Sequence, residues 1–184
     1  MKAKFKLGNL ETVICSDKIE YDSDHAFMHT VHDDDEYTFD AITCAARPVE
    51  FSIVNQLYKL HKEEVKQACD ECNRSKHISV LTTENYHLIL SPFVDRFTYF
   101  GEEQADRLTD EVIDKCIELK ATTLRITQFC MMRSEMPYFP QFKGIIKALT
   151  TRDDSNLKMV YFDVPEKYFY ELTILFKTYS IDEA

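Results

Sequence analysis

From about residue 78 onward, the chain alternates apolar runs with helix-like stripes, and this alternation constrains the fold most. Nearly continuous apolar runs occur at residues 78–82, 87–90, 124–129 and 157–162. Such runs are typical of strands that are covered on both faces, as in sheets between two layers of helices. The sequence therefore predicts an α/β fold, a three-layer α/β/α sandwich with a mixed, mostly parallel sheet.

Helical segments are predicted between these runs by apolar residues at steps of three and four. One helix is predicted from Pro48 to about Asn73, because proline suits a first helical turn. Others are predicted at about 102–120, at about 141–151 and from Pro165 onward. The last helix should bury Tyr168, Leu172, Leu175 and Tyr179. Earlier strands are predicted at 4–7, 12–15 and 39–44.

Composition adds limits on size, partners and location. The 184 residues, 45% of them hydrophobic, fit a single domain over 1–184 with an acidic polar insertion at about 16–38. The formal net charge of −10 argues against general nucleic-acid binding and against a membrane surface. No apolar run approaches the ~20 residues that a membrane span needs. The basic N-terminal residues lack the apolar stretch of a signal peptide, so a cytoplasmic location is expected.

Six cysteines include one C-x-x-C pair, Cys69 and Cys72. The pair lies near the end of its predicted helix, whereas a redox pair would need the N-terminus, where the helix dipole lowers a thiol pKa. No second pair follows at zinc-site spacing. Both cysteines, and Cys116 on the next helix, share the apolar stripes. We therefore predict that all three are reduced and buried, with redox or metal chemistry as the less favoured alternative.

A second cluster of metal-ligand types lies in the acidic insertion. His25, His29 and His32 precede Asp33, Asp34 and Asp35. On a helix, the H-x3-H spacing would place two imidazoles on one face. Oxygen ligands would favour Mg²⁺ or Ca²⁺, and imidazoles Zn²⁺ or Mn²⁺. The segment lacks a helical stripe, however, so a solvated acidic loop without a metal is the favoured interpretation.

Four segments of the chain resemble motifs of the macro domain, the ADP-ribose-binding fold. The run Phe39–Arg47 is similar to its strand-to-helix motif, in which Asp40 is expected to be structural. The run His87–Pro92 resembles its central strand, which ends in a small residue and proline. Leu157–Asp163 resembles its last strand, and Gly8-Asn9 is similar to its early Gly-Asp motif.

The resemblance implies a set of ligand contacts at strand ends. Phe162 is expected to stack on adenine, with Asp163 beside it, and the phosphates are expected near residues 128–134. This stretch contains no glycine, so side-chain donors would have to replace the usual backbone amides. The expected ligand-binding residues are Asn9, Thr43, Arg47, Gln128, Arg133, Ser134, Phe162 and Asp163.

Two functions from different classes remain open. The first is a divergent macro-type module that binds ADP-ribose or a related nucleotide, free or on an ADP-ribosylated macromolecule, with no cofactor required. No catalytic residue is identified and no group is evidently placed to activate water, so ADP-ribosyl hydrolysis should be slow or absent. The alternative is a protein-interaction module that kept the fold and lost the ligand loop.

Overall fold

A seven-stranded sheet organises the described part of the chain. The computed structural model describes residues 1–16, 19–22, 25–29, 41–46, 53–84, 86–92, 101–127, 138–164 and 166–180. In the sheet, the spatial order is β1-β2-β9-β8-β5-β7-β6. The strands span Lys2–Leu7 (β1), Leu10–Cys15 (β2), Ala41–Ala45 (β5), Ser79–Thr82 (β6), His87–Ser91 (β7), Thr123–Ile126 (β8) and Met159–Asp163 (β9).

Five neighbouring strands of this sheet run parallel. They are β2, β9, β8, β5 and β7, and the outer strands β1 and β6 are each antiparallel to their neighbour. The predicted mixed, mostly parallel sheet is confirmed. The C-terminal ends of the five parallel strands meet at one side of the sheet, which we call the carboxyl edge.

Helices cover both faces of the sheet and confirm the predicted three-layer architecture. They span Ile53–Leu60 (α1), Lys62–Ser75 (α2), Glu102–Glu118 (α3), Tyr138–Thr151 (α4) and Glu166–Tyr179 (α5). On the first face, α3, α4 and α5 bury one continuous apolar cluster. On the second face, α1 and α2 pack over β5, β6 and β7.

The single helix predicted to run to Asn73 is two helices in the structure. They meet at His61, whose backbone angles of −136° and 58° are not helical. His61 is exposed, although it belongs to the predicted buried stripe, which consists of Val54, Leu57, Tyr58, His61, Val65, Ala68 and Cys72. Leu57, Val65 and Cys72 of the stripe are buried as predicted, and Tyr58 and Ala68 are partly buried. In α5, Leu172 and Leu175 are buried as predicted, whereas Tyr179 is exposed.

The acidic insertion contains strands that the sequence analysis did not predict. Ile19–Asp22 (β3) and His25–His29 (β4) pair as a separate two-stranded antiparallel sheet. Since His25 and His29 lie on a strand, their Cα atoms are about 13 Å apart along the chain, which is too far for one metal ion to join them as neighbouring helical ligands would. His32 lies outside the described residues. Among the described residues, no group of three His, Cys, Asp or Glu could hold a metal ion.

The cysteine prediction is confirmed for the three residues it concerned. Cys69, Cys72 and Cys116 are free and buried, as are Cys15 and Cys44. Burial raises the pKa of the Cys69 thiol to about 11 and that of Cys72 to about 12. Burial also raises the pKa of Cys44 far above its ordinary value, with a smaller contribution from the neighbouring Cys69 and Cys72. These thiols are therefore protonated at neutral pH.

Among the described residues, no helix combines the length and the apolar character needed to cross a lipid bilayer.

Candidate functional site

The carboxyl edge is held rigidly where β5 and β7 end. The backbone N–H of Ala46 donates to the carbonyl of Ser91 at 2.8 Å, and the Ser91 hydroxyl donates to the carbonyl of Cys44 at 3.1 Å. From α2, the side-chain amide of Asn73 donates to the carbonyl of Ala46 at 2.9 Å. The chain therefore leaves β5 from a fixed position, immediately before Arg47.

Similar bonds extend this frame to the other strand ends. The backbone N–H of Thr127, just after β8, donates to the carbonyl of Thr43 at 3.0 Å. The N–H of Val164, just after β9, donates to the carbonyl of Cys15 at 2.9 Å. Neighbouring strands thus stay paired to their last residue, and the segments that follow them begin side by side. This is where open α/β sheets bind ligands.

A buried ion pair lies at the centre of the carboxyl edge. Arg125 of β8 donates from Nε to Oδ2 of Asp163 in β9 at 2.6 Å, and from Nη2 to Oδ1 at 2.9 Å. The two side chains are only 5% and 1% exposed. Such a two-bond geometry is the arrangement in which an arginine and a carboxylate attract each other most strongly. The pair joins the two central strands and leaves this part of the sheet without net charge.

The strand register places this pair in a mixed environment on the second face. At the level of Asp163 the successive strands carry Cys15, Asp163, Thr127, Cys44 and Leu90. Two residues lower on each strand, Arg125 lies between Tyr161 and Ile42. On the second face, these polar groups therefore lie in the middle of the sheet, with apolar residues to either side of them.

Phe162 does not lie where the sequence analysis expected it. Its side chain is 1% exposed and points to the first face, into the core beneath α4 and α5. Its ring contacts Phe142 and Phe176, with centroids 6.1 and 5.0 Å away. In this arrangement it cannot stack on an adenine. Successive side chains of a strand point to opposite faces of the sheet, and on β9 this alternation directs the ring of Phe162 into the core.

Thr43 and Asp163 are likewise engaged inside the protein. The Thr43 hydroxyl is fully buried and donates to the carbonyl of Ile89 at 2.9 Å. Both carboxylate oxygens of Asp163 accept hydrogen bonds from Arg125. The expectation that these two side chains contact a ligand is therefore corrected, since their hydrogen bonds hold neighbouring strands together.

Asn9 lies at the opposite end of the sheet from the other candidates. It is exposed in the turn between β1 and β2, where Gly8 adopts a φ of +62°. Since β2 is parallel to β9, this turn is at the amino edge, about 17 Å of strand away from the carboxyl edge. The expectation that Asn9 lies beside the other ligand-binding residues is therefore corrected. The segment that leaves β2 at the carboxyl edge begins with Ser16, followed in the sequence by Asp17.

The remaining expected contacts lie outside the described residues. They are Arg47, Gln128, Arg133 and Ser134, together with the structural candidate Asp40. Arg47 directly follows the described end of β5, and Gln128 directly follows Thr127. Both therefore continue from strand ends at the carboxyl edge.

Sequence reasoning missed the two hydroxyls and the arginine that the structure places at this edge. Ser16, Arg125 and Thr127 are all buried there. A signal for Arg125 was present, because an arginine inside an apolar strand needs a buried partner. Ser16 and Thr127 carry no such signal, since serine and threonine are common at any strand end.

A shallow depression of about 400 Å³ on the exposed surface of α2 offers no competing site. It is lined by six polar residues of that one helix, including Lys66 and Asp70, which pair with each other at 2.7 Å. Such an exposed pair contributes little and selects no ligand.

The comparisons with known proteins show that the chain has the macrodomain fold. The Oceanobacillus iheyensis macrodomain with ADP matches 97% of this chain and 98% of its own, at 12% identity and a TM-score of 0.63. The macrodomain of Thermus aquaticus DarG matches 71% of this chain and 92% of its own, at 13% identity and a TM-score of 0.51. An alphavirus P23pro-zbd structure matches 78% of this chain at 12% identity and a TM-score of 0.58, and the chain spans 22% of that protein. No protein-family model and no curated protein matches the sequence.

Proposed function

We propose that this protein is a macro-type module that binds ADP-ribose or a related nucleotide at the carboxyl edge of its sheet. The observation that carries the proposal is the fold, which it shares over nearly its whole length with a macrodomain solved with ADP. The convergence of five parallel strand ends at one edge supports the same location, because ligands of open α/β sheets bind there.

The chemistry proposed for this site relies on side chains rather than on a glycine cradle. The segments that follow β5 and β8 bring Arg47 and Arg133, the cations proposed to contact the ligand phosphates. Gln128 and Ser134 belong to the same stretch of sequence as Arg133 and are proposed to add neutral hydrogen bonds. Since none of these groups is a base placed to activate water, we propose binding without efficient ADP-ribosyl hydrolysis.

An interaction module is the second candidate, and the surface of α5 favours it. Tyr170 and Ile174 lie four residues apart and are 67% and 66% exposed, so they form one apolar stripe on that helix. At the same time, the side chains of Thr43, Phe162 and Asp163 are packed or hydrogen-bonded inside the protein. A protein that kept the fold but lost the ligand would show both features.

Calorimetric titration with ADP-ribose tests the first candidate. We expect binding by the parent protein and a several-fold loss of affinity in Arg133→Ala, larger at low salt because a charge contact is screened. Arg107→Ala is the matched control, since Arg107 is exposed on α3 and pairs only with Glu111 among the described acids. It should leave the affinity unchanged.

The opposite result separates the two candidates. If the parent protein binds no nucleotide at millimolar concentration, the proposed nucleotide site is wrong. Recovery of a defined partner by the parent, lost in Tyr170→Ser/Ile174→Asn, would then establish the interaction module.

A further inference from the structure

The outer strand β1 carries a row of three lysines on one side. Lys2, Lys4 and Lys6 are exposed, whereas Phe5 and Leu7 pack with the apolar cluster of the first face. Successive side chains of a strand point to opposite faces, so the lysines lie on the second face, along about 14 Å of strand. In a chain with a formal net charge of −10, this row is a local patch of positive charge.

The backbone groups of the same three lysines point away from the sheet. At the start of the β1–β2 pair, the N–H of Ser16 donates to the carbonyl of Met1 at 2.8 Å, and the amino group of Met1 donates to the carbonyl of Ser16 at 2.6 Å. Every second residue pair of an antiparallel ladder exchanges bonds in this way, so the odd-numbered residues of β1 bond β2. The N–H of Glu11, opposite Lys6, agrees with this pattern, because it donates to the carbonyl of Lys158 on the far side of β2 at 3.0 Å.

This geometry makes the lysine row part of a strand edge. β1 is the outermost strand on its side of the described sheet. Amide and carbonyl groups that face outward from an edge strand can bond a further strand, and the side chains beside them determine which strand fits. A second copy of β1 fits poorly, since antiparallel pairing would place lysine opposite lysine, and like charges in that position are destabilising.

We propose that β1 is a docking edge for an extended acidic segment of a partner protein, which adds to it as an antiparallel strand. The residues opposite Lys2, Lys4 and Lys6 then exchange backbone bonds with them and lie on the same face as the ammonium groups. Carboxylates at these positions form cross-strand pairs of opposite charge. This inference goes beyond the proposed function and does not depend on nucleotide binding.

The first face determines the chemistry of the intervening positions of the partner. Phe5 is partly buried there, and its ring lies 5.7 Å from that of Phe176 in α5. An added strand directs every second side chain to this face, beside Phe5, where an apolar group fits. The partner segment therefore alternates acidic and apolar residues.

A fluorescent peptide of sequence Glu-Val-Glu-Val-Glu-Val, with blocked termini, is the probe, and anisotropy measures its binding. We expect Lys4→Gln to weaken binding about two- to fivefold, the value of one cross-strand charge pair. Lys177→Gln is the matched control, because Lys177 is an exposed lysine on α5, and it should leave the affinity unchanged.

A second variant tests the backbone bonds. Lys4→Pro removes the outward N–H as well as the charge, so it should weaken binding about tenfold. Proline is tolerated on an edge strand where the N–H faces outward, so the circular dichroism of the variant should match that of the parent. The same peptide with N-methylated glutamates keeps its charge, lacks the amide protons and should not bind.

Hydrogen exchange followed by NMR gives a direct measure of strand addition. The amide of Lys4 should exchange rapidly in the free protein and slowly with the peptide bound, whereas that of Phe5 should exchange slowly in both. Slow exchange of Lys4 in the free protein would show that the chain itself covers β1, and would overturn the inference.

Three further results would also overturn it. Equal binding of the N-methylated peptide, or of inorganic polyphosphate, would mean that charge alone attracts the probe. Dimerisation of the parent in sedimentation experiments, lost in Lys4→Pro, would identify a second copy as the occupant. No peptide binding at millimolar concentration would mean that the lysines only protect the edge from pairing.

Discussion

The two faces of the central sheet are built differently. On the first face, side chains from β1, β2, β5, β7, β8 and β9 meet α3, α4 and α5 in one uninterrupted apolar cluster. On the second face, the apolar residues form two separate clusters, one beneath α1 and α2 and one around Val13, Cys15 and Tyr161. The buried pair of Arg125 and Asp163 lies between them.

This difference separates a face that is almost entirely apolar from one that carries a buried charged pair. A continuous apolar core provides most of the folding free energy. An interrupted face costs stability, because buried charges and hydroxyls must be desolvated. The interruption lies at the carboxyl edge, where ligands of such sheets bind. Departures from apolar packing are expected at functional sites, and the buried ion pair of Arg125 and Asp163 is one of them.

Cutting the buried ion pair should produce the largest effect on the second face. Arg125→Met leaves the Asp163 carboxylate buried without its partner, and we expect a loss of about 3–5 kcal/mol in the free energy of unfolding. The double variant Arg125→Met/Asp163→Leu should recover much of that loss, since it buries no isolated charge. Urea denaturation of the three proteins measures both effects.

The matched control for this experiment is Arg152→Met. Arg152 lies outside the sheet and bonds Asp114 at 2.7 Å and Asp154 at 2.8 Å, and both carboxylates are exposed. Each such pair is worth about 0–1 kcal/mol. If Arg125→Met costs no more than Arg152→Met, the buried pair does not interrupt the second face in the way described.

On the first face, a substitution should cost most stability where α3 and α4 touch. A Cβ on Gly144 of α4 would lie 2.1 Å from the carbonyl oxygen of Glu102 and 2.8 Å from the backbone nitrogen of Asp106 in α3. Gly144→Ala must therefore push the helices apart, at a cost of about 1–3 kcal/mol. Thermal unfolding of the variant would measure it.

Gly8→Ala offers a comparison with a different physical cause. No atom lies within 4 Å of a Cβ at Gly8, but its φ of +62° is unfavourable for alanine. The expected cost is about 1 kcal/mol, from the backbone alone. A larger loss in Gly8→Ala than in Gly144→Ala would show that the α3–α4 contact can relax and that the first face is less tightly packed than described.

The sequence was most informative about the first face and the general fold. Apolar runs and stripes depend on burial, and burial is what made Leu124, Val112 and Leu172 recognisable as core residues. The alternation of strands and helices then predicted the parallel sheet and its covering layers. The break at His61 left the apolar stripe intact, so periodicity could not reveal it.

The site was less predictable, because motifs fix positions along the chain and not the directions of side chains. Phe162 ends the expected strand, but only the packed structure shows that its ring enters the core. Asn9 follows a glycine, as in the family motif, yet the direction of β2 places it at the wrong edge. Strand direction depends on pairing between distant segments, which no local pattern contains.

The smallest predicted effect concerns the thiols beneath α2 on the second face. Burial raises the pKa of Cys69 to about 11 and that of Cys72 to about 12, well above the ordinary value of a thiol. In the unfolded chain these thiols ionise as the pH passes about 8.5, while in the folded protein they stay protonated. The unfolded state then binds fewer protons, so the free energy of unfolding must fall as pH rises through this range. We expect a loss on the order of 1 kcal/mol between pH 8 and pH 9 from the two thiols together.

Urea denaturation under reducing conditions at both pH values, repeated on Cys69→Ala/Cys72→Ala, isolates this contribution. The double variant should lose less stability over the same interval. An equal loss would mean that the thiols do not titrate differently on folding, and that the apolar cluster beneath α2 admits water.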